Sequence, residues 1–220
     1  MVGGLLQNLK WELIMKVDIV DVGSGNIRSI KNWIEKSNII ARSVQDVSEL
    51  DAEVLILPGV GAAGSYMERL QKGTFDTAIV NHVQRGGRLI GICLGFQIMS
   101  SFSEEDGGVA GLGLIDAEVK RLGTRISHTG WETLSFKKNH MNNQFFNASR
   151  KSSRKTVVNG RVFYNHEYGL VNRDLDAFTL PISSSLNEFT GLFVKDKIIG
   201  IQFHPEKSQL TGVELISMML

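Results

Sequence analysis

Apolar positions along this chain follow two regimes. Through the first half, short unbroken apolar runs alternate with segments of helical periodicity. Residues 17–22 and 89–92 are short, mainly apolar runs and 54–57 is continuously apolar, as a strand covered on both faces requires, and 39–44 reads as a further strand. Between the first two, Ile27, Ile30, Trp33 and Ile34 recur at i, i+3, i+4 spacing, which predicts a helix with one buried face. Helices are expected again near 66–70, over 75–83 until Arg85-Gly86-Gly87 breaks the pattern, and over the apolar stretch 94–99. Strands alternating with helices at this spacing imply parallel βαβ units. The fold class expected is therefore α/β: an open, mostly parallel mixed sheet flanked by helices.

After Gly113 the pattern shortens. Alternating segments at 115–119, 133–136, 162–164, 190–194 and 198–203 predict extra mixed or antiparallel strands that extend the sheet. Residues 137–160 are polar, rich in Asn, Ser and Lys and without periodicity, and read as a long surface insertion. There is no internal repeat and no Pro-rich linker, so 15–220 is expected as one domain, with 1–14 as an N-terminal extension. That extension is partly apolar, but Lys10 and Glu12 interrupt it and no small-residue cleavage site follows. Met15, directly before a strand signal, reads as the true start.

Charge and composition narrow the function classes. Twenty-four basic and 23 acidic side chains give a net charge of +1. A nucleic-acid footprint needs a clustered basic excess, and none is present. The lone cysteine excludes an internal disulfide and suits a reducing cytoplasm. No uninterrupted apolar run approaches the roughly 20 residues that span a bilayer.

Candidate chemistry lies where strands end. Gly91-Ile92-Cys93-Leu94-Gly95 falls where a buried strand turns into a helix, the cysteine counterpart of a G-x-S-x-G nucleophile elbow. On so sharp a turn, a Cβ two residues before or after the nucleophile would strike neighbouring backbone. The helix N-terminus would favour the thiolate. The plainer alternative is that Cys93 is a small buried hydrophobe. Phe203-His204-Pro205-Glu206 closes the last apolar run. In extended backbone residues i and i+2 share a side, so Glu206 could orient the His204 imidazole as a base beside a thiol; a strand-end histidine and a solvated glutamate are the alternative. Pro58-Gly59-Val60-Gly61 follows the third strand. Such a loop could supply a backbone N–H near Val60 or Gly61 to an oxyanion, joining that of Leu94, although alone it is only a tight turn.

Together, P-G-V-G, G-I-C-L-G-F-Q and F-H-P-E-K-S, in this order and spacing, resemble the triad-type (class I) glutamine amidotransferases, over roughly residues 16–220. Within that family the chain is most similar to glutaminase subunits of imidazole glycerol phosphate synthases, from V-G-S-G-N at 22–26, the stretch 58–67, G-L-G-L-I at 111–115 and H-P-E-K-S-Q at 204–209. The resemblance implies a catalytic triad of Cys93, His204 and Glu206, with Val60, Gly61 and Leu94 at the oxyanion hole. It implies that Gln97, Glu105 and Gly59 bind glutamine, and that Asn26, Trp131 and Lys207 lie near a (β/α)8-barrel cyclase partner that receives ammonia. No cofactor is implied. Without the resemblance, Gln97 and Glu105 read as solvated positions and Trp131 as core.

The chain departs from the family pattern in places. Glu132 stands where Asn usually follows the Trp, and 163–168 reads F-Y-N-H-E-Y where Y-F-V-H-S-Y is usual. These departures bear on the acceptor rather than on glutamine hydrolysis. They leave open a relative that supplies ammonia for sugar amidation in surface polysaccharide synthesis. A free-standing γ-glutamyl cysteine hydrolase and a regulatory module are further alternatives. His82, His128, His140 and His166 show no metal-ligand spacing, and none is assigned to a metal.

Overall fold

The computed structural model describes residues 15–123, 127–137 and 157–220. The unbroken apolar runs become the middle of a sheet. Strands β1 (Lys16–Val20), β2 (Ile40–Val44), β3 (Val54–Leu57) and β4 (Arg88–Ile92) pair in parallel in the order β2-β1-β3-β4. From the C-terminal part of the chain, β13 (Ile198–Ile201) adds in parallel beside β4, and β12 (Thr190–Lys195) and β11 (Phe178–Pro181) complete an antiparallel edge. The result is a seven-stranded, mostly parallel sheet.

Period-two alternation sends side chains to both faces. Val54 and Ile56 of β3 and Ile90 and Ile92 of β4 share one cluster with Ile30 and Trp33 of α1 (Ile27–Glu35) and Leu215 and Ile216 of α5 (Gln209–Met219). Leu55, Leu57 and Leu89 meet Tyr66 and Leu70 of α2 (Ala63–Lys72), Phe75 and Ile79 of α3 (Phe75–Gln84) and Phe96 of α4 (Leu94–Ile98). Each such side chain contributes about 1.5–3 kcal/mol on full burial. The Trp33 indole N–H donates to the Gly212 carbonyl at 2.7 Å and ties α1 to α5.

The second half differs from expectation. Of its strands, only β11, β12 and β13 extend the central sheet. Strands β5 (Ser100–Ser103), β6 (Val109–Ala110), β7 (Ile115–Arg121) and β10 (Tyr168–Asn172) form a separate four-stranded sheet, ordered β10-β7-β5-β6. β8 (His128–Lys137) and β9 (Val157–His166) pair as an antiparallel ribbon. The physical reason is visible in their burial. β7 and β8 alternate buried and exposed positions, so they have one face to cover and fit no place inside a doubly covered sheet. The ends of the expected insertion, Lys137 and 157–160, are ribbon residues, with Phe136 and Val158 buried; 138–156 lie outside the described residues. The ribbon packs on α5, where Gly160 lies against Thr211. A single bridge joins Phe163 to His204.

Candidate active site

β4 delivers its chain to Cys93, which adopts φ 53°, ψ −113° immediately before α4. A side-chain-bearing residue pays about 1–3 kcal/mol for such a conformation and keeps it only where its surroundings enforce it. Here they do. The Cys93 N–H donates to the Ile201 carbonyl at 2.7 Å, and the amides of Phe96 and Gln97 return to the Cys93 carbonyl at 3.1 Å. A Cβ on Gly95 would run into the Leu57 carbonyl, and one on Gly91 would come 2.8 Å from the Phe96 Cα. These are the collisions expected of an elbow. Across the β4–β13 ladder Gly91 faces Gly200, and a Cβ there would enter the Phe96 ring.

His204 follows β13 in an extended conformation, φ −97°, ψ 94°, and its Nδ1 lies 2.9 Å from Glu206 Oε1. The sequence suggested that an extended backbone would set the pair side by side. Instead, residues Pro205–Lys207 form a 3-10 turn, closed by the Lys207 N–H on the His204 carbonyl at 3.0 Å, and the turn brings the carboxylate round to the ring. The imidazole and the Cys93 thiol face the same cavity, near enough for the sulfur to favour charge on the ring. Burial opposes charge on His204, but the thiol and the carboxylate outweigh it and push its pKa up to about 9. Burial likewise raises Glu206, and the His204 bond overcomes that and holds its carboxyl below the ordinary value. Asn26 Nδ2 donates to the same Oε1 at 3.2 Å. The second oxygen, Oε2, is buried and has no hydrogen-bond partner among the described residues.

Cys93 and His204 line one cavity of about 470 Å³. Val60, Gly61 and Leu94 form part of its wall, with Gln97, Glu105, Asn26 and Lys207. Gly59 lies behind that wall, buried, where a Cβ would come 2.7 Å from the Gly95 nitrogen. The loop is pinned on both sides. The Tyr66 hydroxyl donates to the Pro58 carbonyl, and Ser24 Oγ donates to the Val60 carbonyl at 2.5 Å. Gly61 takes φ 101°, which glycine alone adopts freely.

Gln97 is not a solvated helix residue: it is 4% exposed, and its Nε2 donates to the Tyr168 carbonyl at 2.6 Å and to Gln202 Oε1 at 3.0 Å. Glu105 accepts the Ala63 N–H at 3.2 Å, and burial raises its pKa despite that bond. Trp131 is not core either. It is 36% exposed on β8, edge-on to the Phe163 ring, with the Arg161 guanidinium 5.8 Å from its centroid. Lys207 Nζ lies 5.7 Å from the other partner of that contact, the Phe163 ring.

Three further residues at the site, Gln202, His166 and Tyr168, have no site role in the sequence reading. Gln202, fully buried, sits inside an apolar run, and its Nε2 lies 3.8 Å from Cys93 Sγ. The one signal for it was a carboxamide where every neighbour is apolar. His166 and Tyr168 reach the cavity from β9 and β10. The His166 Nδ1–H donates to the Tyr168 carbonyl at 2.7 Å, and its Nε2 lies 3.2 Å from His128 Nδ1. Burial lowers the His166 pKa to about 4, so the ring is neutral. Glu132, the departure beside Trp131, lies 3.1 Å from His128 Nε2. His82 stands apart, on α3, bonded to the Arg88 carbonyl, and His140 falls outside the described residues. Among the described residues no cluster of three or more His, Cys, Asp or Glu could hold a metal ion, and no helix is long and apolar enough to cross a membrane.

Comparison with known proteins decides the family. The model of the class-I glutamine amidotransferases matches residues 18–217. The chain belongs to that family. It is accordingly a glutamine amidotransferase, and an enzyme. It is 35% identical over 204 residues to the imidazole glycerol phosphate synthase subunit HisH of Moorella thermoacetica, covering 91% of each chain. It is 32% identical over 213 residues to the subunit of the same name in Thermus thermophilus, covering 93% of this chain and 96% of that one. Among solved structures, that of PurLQS from Thermotoga maritima superposes with a TM-score of 0.69 at 19% identity, over 93% of this chain and 97% of that one. At that identity the likeness shows the fold.

Proposed function

We propose that this amidotransferase is the glutaminase subunit of an imidazole glycerol phosphate synthase, with Cys93 as nucleophile, His204 as general base and acid, and Glu206 as the carboxylate that orients it. The observation that carries the proposal is that the Cys93 thiol and the His204 imidazole face one cavity, with the buried Glu206 carboxylate 2.9 Å behind the ring at Nδ1. With Nδ1 donating to Glu206, the ring's other nitrogen is the one left to take the thiol proton. The imidazolium so formed is stabilised by Glu206, and the thiolate attacks the γ-carbonyl carbon of glutamine. Negative charge gathers on the former carbonyl oxygen, beside the N–H of Leu94 at the start of α4 and an N–H of the Val60–Gly61 loop. His204 gives its proton to the nitrogen as the C–N bond breaks, and ammonia leaves. Water then attacks the thioester, His204 takes a water proton, and the C–S bond breaks to release glutamate and restore the thiolate.

Gln97 and Glu105 suit the far end of the substrate. The Gln97 N–H groups are spent on Tyr168 and Gln202, so the atom it can offer is an acceptor. Together with the Glu105 carboxylate it fits the α-ammonium of glutamine. Ammonia acts as a nucleophile only when neutral, so it passes under shelter to a (β/α)8-barrel cyclase docked over Asn26, Trp131 and Lys207. The proposed setting is the cytoplasm, where the thiol stays reduced.

The deciding experiment uses the assembled complex. Cys93→Ala abolishes product formation from glutamine and leaves formation from added ammonium salt intact. Loss of both activities, or survival of the first, overturns the assignment. One observation favours a second acceptor. Glu132 replaces the usual Asn and binds His128 within the ribbon, on the side assigned to the partner. A sugar-amidating partner fits that change, and complementation of a histidine auxotroph separates the two.

A further inference from the structure

The sulfur is flanked by a second polar group besides the imidazole, and its orientation is forced. Gln202 is fully buried, between Ile201 at the end of β13 and Phe203. Its carboxamide bridges Gln97 and the Cys93 thiol, 3.0 Å from the one and 3.8 Å from the other. An amide can in principle lie either way round, and the hydrogen-bond chain removes the choice. At its far end is the Tyr168 carbonyl, which can only accept, so the Gln97 group 2.6 Å from it is the NH2. The second N–H of that NH2 points at Gln202, so Gln202 meets it with its oxygen. The remaining end, directed at Cys93 Sγ, is therefore an N–H.

We propose that Gln202 is a positioning residue for the nucleophile: its N–H, aimed by Gln97 and the Tyr168 carbonyl, stabilises the Cys93 thiolate and holds the sulfur in its attacking orientation. A donor favours the charged acceptor over the neutral one, so the contact strengthens as the thiol loses its proton. It also links the two ends of the cavity. Gln97, on the wall assigned to the substrate's polar end, is the residue that turns the Gln202 donor toward the sulfur. This rests on Cys93 being the nucleophile, as proposed above.

Two substitutions separate donor from shape. Gln202→Met keeps the length and removes the polar end; Gln202→Glu keeps the shape and replaces the N–H with oxygen. In each, the rate of Cys93 alkylation by iodoacetamide is followed against pH, and kcat and KM for glutamine are measured in the complex. The expected result is an alkylation midpoint raised by about one pH unit and a kcat lower by about tenfold, with KM within about twofold of the parent. Wild-type midpoints in both variants, or a rise in KM with kcat unchanged, overturns the proposal. A measurement on the parent protein needs neither variant to fold. The Gln202 side-chain amide protons, assigned by NMR, shift when Cys93 ionises, and a signal that stays fixed through that titration overturns the proposal equally. Alkylation reports on the thiol whatever reaction follows, whereas the ammonium test on Cys93→Ala reports on the nucleophile. The two failures are thus distinguishable.

Discussion

Cys93 and His204 stand on differently built supports. Cys93 leaves β4, which has parallel neighbours on both sides and is buried along its whole length. Its conformation is fixed by glycine contacts to Leu57, Pro58 and Phe96, all within the core. His204 lies beyond the last strand of the same sheet and is tied outward. Its N–H donates to the Phe163 carbonyl at 2.8 Å, and its carbonyl accepts from Ser208 Oγ at 2.7 Å. Ser208 Oγ accepts the Phe163 N–H in turn, at 3.1 Å. The imidazole is thus registered against the ribbon, whose outer surface carries the exposed Trp131. The proposed nucleophile inherits its place from the core, the proposed base from a surface element stapled to it.

The largest test of that contrast is His204→Ala. Glutamine hydrolysis should fall by about 1,000-fold or more, and near neutral pH the urea midpoint should fall as well, because the charged imidazole stabilises the fold through Glu206; hydrolysis within about tenfold of the parent would show that the imidazole takes no part. Next, Gly95→Ala strikes the core support. Its Cβ meets the Leu57 carbonyl, so a loss of about 3 kcal/mol in unfolding free energy is expected, with activity lost through displacement of the sulfur. A variant as stable as the parent would mean the elbow is looser than its contacts imply.

Glu206→Gln separates charge from shape and gives a pH signature. The His204 pKa, about 9 in the folded protein, exceeds the ordinary 6.5. Its contribution to stability is therefore fully present below about pH 6.5 and is lost as pH rises through about 9. In Glu206→Gln that loss should begin at lower pH, with kcat down by about 10- to 100-fold. Urea unfolding from pH 6 to 10 measures the first effect; identical pH dependence in the two proteins would contradict the carboxylate's role. The smallest effect belongs to the ribbon surface. Trp131→Ala should change stability by under about 1 kcal/mol, but weaken binding to the proposed cyclase partner by about tenfold or more in calorimetry.

The same contrast separates what was legible in the sequence from what was not. Residues 54–57 and 89–92 announced themselves because strands covered on both faces are apolar throughout, and the Gly-x-Cys-x-Gly bracket marked the point where one of them turns. Three elements gave too little signal. β5 is Ser-Ser-Phe-Ser, with two exposed members, and carries no strand-like run. β7 alternates in a way that fixes its type but not its sheet, which depends on long-range pairing such as Val119 with Leu170, and β10, Tyr-Gly-Leu-Val-Asn, carries no alternation to mark it as a strand. The burial of Gln97 was equally unreadable, since its partners Tyr168 and Gln202 come from distant positions and a glutamine on an isolated helix reads as solvated.

Phe96 lies over two glycines at once, Gly91 and Gly200, which oppose each other across neighbouring strands. The ring fills the space that a side chain at Gly200 would take, while the backbone of the same residue, with Met99 Sδ, fills the space beside Gly91. A methyl group gained at Gly200 demands a smaller ring, which leaves a void under the bend that carries the sulfur, whereas one gained at Gly91 meets backbone that no exchange of the side chain at 96 relieves. A library randomising all three sites together should return glycine at 91 throughout, with exchanges confined to concerted changes at 96 and 200.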